Sequence, residues 1–253
     1  MFQRAYIEQI GNRRFRREES LVRDECERLG IEIVPYFAKQ LQRRQLPLTS
    51  DSFICGDMDA MHAAMRQLGI EPPTPDDFPR SLQPYLRRKV WQASVGSLQQ
   101  TLERGAEVFA KPAGRRKRFS GRVFSSPEDF SRLAGVGARE PLWCSEVVGW
   151  ISEFRVYVIG GEILAVDHYG GDAGVEVSME VIREAIATFT ASGEAPSAYG
   201  IDFGVLDTGE TALVEANDGY SLGAYALTAD LYTRLLFTRW GELLRGALRR
   251  GDE

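Results

Sequence analysis

Apolar residues recur at helical spacing through residues 17–29, where Leu21, Val22, Cys26 and Leu29 share one face and Gly30 supplies a stop. The dense run IEIVPY that follows reads as a strand. DSFICG at 51–56 and MDAMHAAMRQLGI at 58–70 give a second strand and helix, ending at Gly69. This alternation predicts an α/β N-terminal lobe. The stretch EPPTPDDFPR at 71–80 breaks the pattern, since X-Pro steps favour extended chain, and reads as a linker. It divides the chain into an N-terminal domain, 1–80, and a second domain, 81–253. A helix is expected over about residues 81–104. Beyond it come strand-like segments separated by Gly and Asp: EVFAKPA, RFSGRVF, LWCSEVV, ISEFRVYVI, EILAVDHYG, AYGIDFGVL and TALVEAN. The helical run MEVIREAIATFTASG interrupts them, and an amphipathic helix from Thr228 to about Arg249 closes the chain. The expected fold class is α+β, with no internal repeat.

Composition narrows the function classes. With 253 residues, 43% hydrophobic and 26% charged, the chain reads as an ordinary globular protein of one or two lobes. A net charge of −5 argues against bulk nucleic-acid binding. No apolar stretch approaches bilayer length and no apolar segment follows Arg13, Arg14, Arg16 and Arg17, so the expected location is cytoplasmic, without a membrane partner. Cys26, Cys55 and Cys144 share no metal-type spacing. His62 and His168 are the two histidines, which makes carboxylate-bound metal the easier chemistry to support.

Among thirty-one basic residues, Lys39, Lys89, Lys111 and Lys117 are the lysines. Two fall within VFAKPAGRRKRFSGRVF, residues 108–124. Where arginine is the default cation, such lysines suit phosphate oxygens, which a compact ammonium satisfies well. A solvated basic turn fits the same letters. In ISEFRVYVIGGEILAV, Glu153 and Arg155 are two apart and project from one strand face, with Gly160-Gly161 as the hairpin turn. A site pair and a cross-strand salt-bridge face both fit. In GIDFGVLDTGETALVEAND, Asp202 and the alternating Glu215 and Asn217 can face one way, an oxygen set suited to Mg²⁺. LWCSEVVGW ends in Ser145, Glu146, Val147 and Val148, where a strand leaving its sheet can offer main-chain groups to a flat base.

In this order, with the context of FAKPAGRRKRFSG, SEFRVYV and VEANDGYSLGAY, the motifs resemble the ATP-grasp superfamily. More narrowly they resemble its clade named for one arginine and two lysines, here Arg155, Lys111 and Lys117. The resemblance covers roughly residues 85–240. It implies two α+β lobes clamping ATP, with Mg²⁺ at Asp202, Glu215 and Asn217. Lys111 and Lys117 are then phosphate ligands, and Ser145, Glu146, Val147 and Val148 form the adenine hinge. Glu153 is the ribose contact, and Arg155 bridges the γ-phosphate and a substrate carboxylate. The implied activity is carboxylate–amine ligation through an acyl phosphate, on small-molecule or peptide substrates. Catalytic weight falls on Arg155 and Lys117. A phosphotransferase acting on a hydroxyl and a non-catalytic nucleotide-binding module are the alternatives. Tyr220, Ser221 and Gly223 are candidate acceptor-site residues, although a plain loop capping the last helix fits as well. Arg115, Arg116 and Arg118 are candidates for a basic lid. The apolar face Leu231, Leu235, Leu236 and Trp240 can pack at home or against a second copy, leaving a homodimer open.

Overall fold

The computed structural model describes residues 2–114, 119–133 and 135–251. Its first part alternates strand and helix: β1 (Arg4–Glu8), α1 (Arg17–Leu29), β2 (Glu32–Tyr36), α2 (Ala38–Gln42), β3 (Ser52–Cys55) and α3 (Met58–Gln67). The strands form a parallel sheet in the order β2-β1-β3. Gly30 ends α1 in a left-handed conformation, with φ 70°, and Asp57 caps α3 by accepting Ala60 N–H at 2.9 Å. Strand β1 is an addition to the sequence reading. Its apolar run Ala5-Tyr6-Ile7 is short, yet it is the central strand and fully buried.

The expected helix over 81–104 is replaced by three elements. A 3-10 turn spans Arg80–Tyr85, β4 spans Val90–Ser94, and α4 spans Val95–Leu102. Pro84 lies inside the turn, β-prone Val90 and Trp91 favour extended chain, and Ser94 opens a new helix by accepting Ser97 N–H. Strands β5 (Val108–Pro112), β6 (Arg122–Phe124) and β7 (Pro141–Ser145) join β4 in an antiparallel sheet ordered β4-β7-β5-β6.

A third sheet, also antiparallel, is ordered β11-β10-β8-β9 from β8 (Trp150–Ile159), β9 (Glu162–Gly171), β10 (Ala198–Leu206) and β11 (Thr211–Asp218). Helix α5 (Met179–Ser192) covers this sheet through Ile182, Ala185, Ile186 and Phe189. Helix α6 (Ala229–Gly251) returns to the first lobe. Leu235, Leu236 and Trp240 are buried in the core of the parallel sheet, and Trp240 Nε1–H donates to Ser52 O at 2.9 Å.

Candidate functional site

Register builds the centre of the site. Across the third sheet, Asp167 of β9 faces Arg155 of β8, Arg155 faces Asp202 of β10, and Asp202 faces Glu215 of β11. Four charged residues thus share one rung. Arg155 donates from Nε to Asp202 Oδ1 at 2.7 Å and from Nη2 to Oδ2 at 2.6 Å, with both residues buried. Asn217 Nδ2 donates to Glu215 Oε1 at 3.2 Å and reaches Asp202 Oδ2 at 3.5 Å. Asp202, Glu215 and Asn217 therefore converge.

Burial sets their electrostatics. It pushes the Asp202 carboxyl up to about 6, more than the adjacent Arg155 guanidinium lowers it. Burial also acts most strongly to raise Glu215, but the Lys111 ammonium, the Asn217 amide and Arg155 together hold that carboxyl below its ordinary value. For Lys111 burial disfavours the charge, yet Glu215 and Asp77 together raise its pKa. Two carboxylate oxygens and, after a half-turn of its amide, the Asn217 oxygen suit a hard divalent cation. Among the described residues no group of three His, Cys, Asp or Glu side chains has metal-site spacing, so phosphate oxygens and water would complete such a shell.

Lys111 reaches this rung from β5 of the other sheet. Its Nζ pairs with Glu215 Oε2 and lies 2.7 Å from Asp77 Oδ2, above the Phe78 ring at 4.9 Å. Between the two sheets lies a cavity of about 910 Å³. Lys111, Glu153, Arg155, Asp202, Glu215, Asn217, Tyr220, Ser221 and Gly223 all line it. Lys117 and Arg115, Arg116 and Arg118 lie outside the described residues.

Ser145, Glu146, Val147 and Val148 are not part of this lining. The Glu146 main-chain groups expected to meet an adenine are already engaged. Its N–H donates to Lys89 O at 3.1 Å and its C=O accepts from Ser145 Oγ at 2.9 Å, because the segment entering β4 runs beside it. The Glu146 carboxylate accepts from Lys89 N–H at 2.9 Å.

Four site residues have no individual role in the sequence reading. Asp77 and Phe78 come from the proline-rich stretch 71–80, which lines the cavity instead of running clear of it. Tyr169 donates to Glu153 Oε2 at 3.0 Å and stacks on Tyr225, ring centroids 5.1 Å apart and 10° from parallel. Tyr225 also underlies the Arg155 guanidinium at 5.1 Å. Both tyrosines belong to quoted segments, and their spacing alone gives no sign that they stack.

The loop after β11 is tied to its surroundings. Tyr157 donates to Gly223 O at 2.9 Å, Tyr232 to Leu222 O at 2.6 Å, and His62 Nε2 lies 2.7 Å from the Tyr220 hydroxyl. On the far side of this loop a second cavity of about 940 Å³ meets the first along Glu18, Met58 and Tyr220–Gly223, facing the ends of β3 and α3.

This architecture is found in known ligases. D-alanine–D-alanine ligase from Bacillus anthracis, solved with ATP, shares 16% identity over 98% of this chain and 100% of its own, with a TM-score of 0.58. D-alanyl-alanine synthetase A from Vibrio cholerae shares 9% identity over 98% of both chains, with a TM-score of 0.55. N5-carboxyaminoimidazole synthase from Aspergillus clavatus, solved with ADP and 5-aminoimidazole ribonucleotide, shares 13% over 94% of this chain and 77% of its own, with a TM-score of 0.50. At these identities the likeness is one of fold. No curated protein matches the chain. The model of an ATP-grasp domain family, the second of the clade named for one arginine and two lysines, matches residues 85–235, more than half of the sequence. The chain therefore belongs to that second family of the arginine-and-two-lysine clade of ATP-grasp domains, a superfamily of ligases that use ATP and Mg²⁺.

Proposed function

We propose that the protein is an ATP-dependent carboxylate–amine ligase, forming an amide or peptide bond through an acyl phosphate and releasing ADP and phosphate. The observation that carries this reading is the rung Arg155–Asp202–Glu215 facing Lys111 across one cavity. Lys111 holds the α- and β-phosphates, with Lys117 as its expected companion. Glu153, braced by Tyr169, binds the ribose. Asp202, Glu215 and Asn217 hold Mg²⁺, which when bound screens the phosphoryl charge. Arg155, fixed by Asp202 and supported by the Tyr225 ring, orients the substrate carboxylate toward the γ-phosphate.

In the first step a carboxylate oxygen bonds to the γ-phosphorus and the bond to the ADP oxygen breaks. In the second the amine nitrogen bonds to the acyl carbon, phosphate leaves and the nitrogen gives up its proton. Side chains here position and neutralise, and no protein nucleophile is required. The junction of the two cavities at Tyr220, Ser221 and Gly223 is the meeting point for acyl phosphate and amine.

The test is ATP turnover with Mg²⁺ against pooled amino acids and small carboxylates in the presence of hydroxylamine. A hydroxamate formed in step with ADP is the expected result. ADP accompanied by a phosphorylated hydroxyl product would replace the ligase reading with a phosphotransferase.

A further inference from the structure

The segment 71–80 makes a contact that ligase chemistry does not require. Asp77 Oδ2 lies 2.7 Å from Lys111 Nζ, and the side chains of both residues are largely buried. An ammonium has three N–H donors, and in this structure carboxylates of Asp77 and Glu215 both accept from it. Carboxylate and phosphate present the same face to such a group, anionic oxygens that take charge-assisted hydrogen bonds. Phosphate oxygens arriving here thus meet a cation already neutralised, beside a carboxylate that repels them.

The contact is built into the fold. Ala216 N–H donates to Asp77 O at 2.9 Å, which stitches the segment onto β11 between Glu215 and Asn217. Phe78 packs edge-on against Trp143 at 5.1 Å. Pro72, Pro73, Pro75 and Pro79 fix the backbone φ at four positions out of eight, which stiffens the strap 72–79. Thr74, Pro75, Asp76 and Asp77 lie on the cavity wall.

We propose that Asp77 is an internal competitor for the phosphate-binding ammonium, and that the strap 72–79 is a gate which the nucleotide must displace. This rests on the reading of Lys111 as a phosphate ligand. Nucleotide affinity is then set by a difference between two anions at one cation. Weakening the resident anion tightens the incoming one.

Calorimetric titration of MgATP, MgADP and adenosine into the full-length protein tests this. Asp77→Asn is isosteric and keeps the main-chain bond to Ala216, and a thermal melt checks that it folds. It should tighten MgATP and MgADP by about tenfold, the scale of one charge-assisted contact, and leave adenosine unchanged. Asp76→Asn is the control, since Asp76 lines the same cavity without pairing with Lys111. It should change MgATP affinity by less than about twofold, the range of weak surface electrostatics. Unchanged or weaker MgATP binding by Asp77→Asn overturns the gate, as does an equal gain in Asp76→Asn, which would reveal general charge repulsion. Lys111→Ala separates the two levels of inference. If it binds MgATP like the parent, the phosphate role of Lys111 falls and the gate with it. If it weakens MgATP while Asp77→Asn does nothing, the gate alone is wrong.

Discussion

Arg155 and Asp202 illustrate how a single pair constrains the site. Each is buried, each supplies two atoms to the other, and Asp202 still carries a raised pKa because burial outweighs the guanidinium. Removing Arg155 alone leaves a desolvated Asp202 carboxyl beside Glu215. Arg155→Ala should therefore cost about 3 to 5 kcal/mol of unfolding free energy, the usual consequence of orphaning a buried ion-pair partner. Asp202→Ala should cost a similar amount. The double variant should cost clearly less than the sum of the two, because neither charge is then left alone. Guanidinium denaturation of the four proteins without ligand measures this, and additive losses would show that the two groups act separately.

At the scale of elements, the charged rung is legible because strand periodicity is two. Glu153 with Arg155, and Glu215 with Asn217, had to share faces once their segments were strands. Lys111 is legible from the rarity of lysine. Asp77 is not, since a proline-rich run reads as a linker, whereas Phe78 on Trp143, the Ala216 N–H and the Lys111 ammonium hold it inside. Segment 81–104 misleads for a related reason: Leu82, Tyr85, Leu86 and Val90 fit a helical period, but the site's geometry needs a strand beside β7. The turn from β11 into the loop that follows depends on a glycine in a different way. A Cβ on Gly219 would overlap Ala198 O, a main-chain atom that cannot move without breaking β10. Gly219→Ala should destabilise by about 2 kcal/mol or more, while Gly114→Ala, whose Cβ would meet none of the described residues, should stay within about 0.5 kcal/mol. Thermal melts of both variants decide this, and equal melting temperatures would mean that the loop can be re-routed.

At the scale of the molecule, the apolar cores do not follow the order of the sequence. One core runs from Ala5 to Leu244, joining β1, α1 and α3 to α6 and to Tyr157 and Ala198 of the third sheet. His62 with Tyr220 and Trp240 with Ser52 tie the same halves together through polar contacts. The first lobe is therefore completed by the last helix. The β4-β7-β5-β6 sheet differs: among the described residues its own core of Val95, Leu98, Leu102, Val108, Ala110, Phe124, Leu133, Leu142 and Cys144 includes no residue of another sheet, and Val90 and Trp143 pack instead against the core of the third sheet. A small core of this kind should open before the rest. The cysteines report on this directly, since Cys26 and Cys55 belong to the large core and Cys144 to the small one. Burial pushes Cys26 up to about 12, Cys144 up to about 11, and Cys55 well above its ordinary value. At about pH 8 few of these thiols are ionised, so the native protein should react negligibly with a thiol reagent. Along a guanidinium titration, Cys144 should label first, and Cys26 and Cys55 should label together at the main loss of helical circular dichroism. If MgATP binds between the two sheets as proposed, it should move the Cys144 transition upward toward the others. Simultaneous labelling of all three without nucleotide would instead make the whole chain one cooperative unit, with no separately opening β4-β7-β5-β6 sheet.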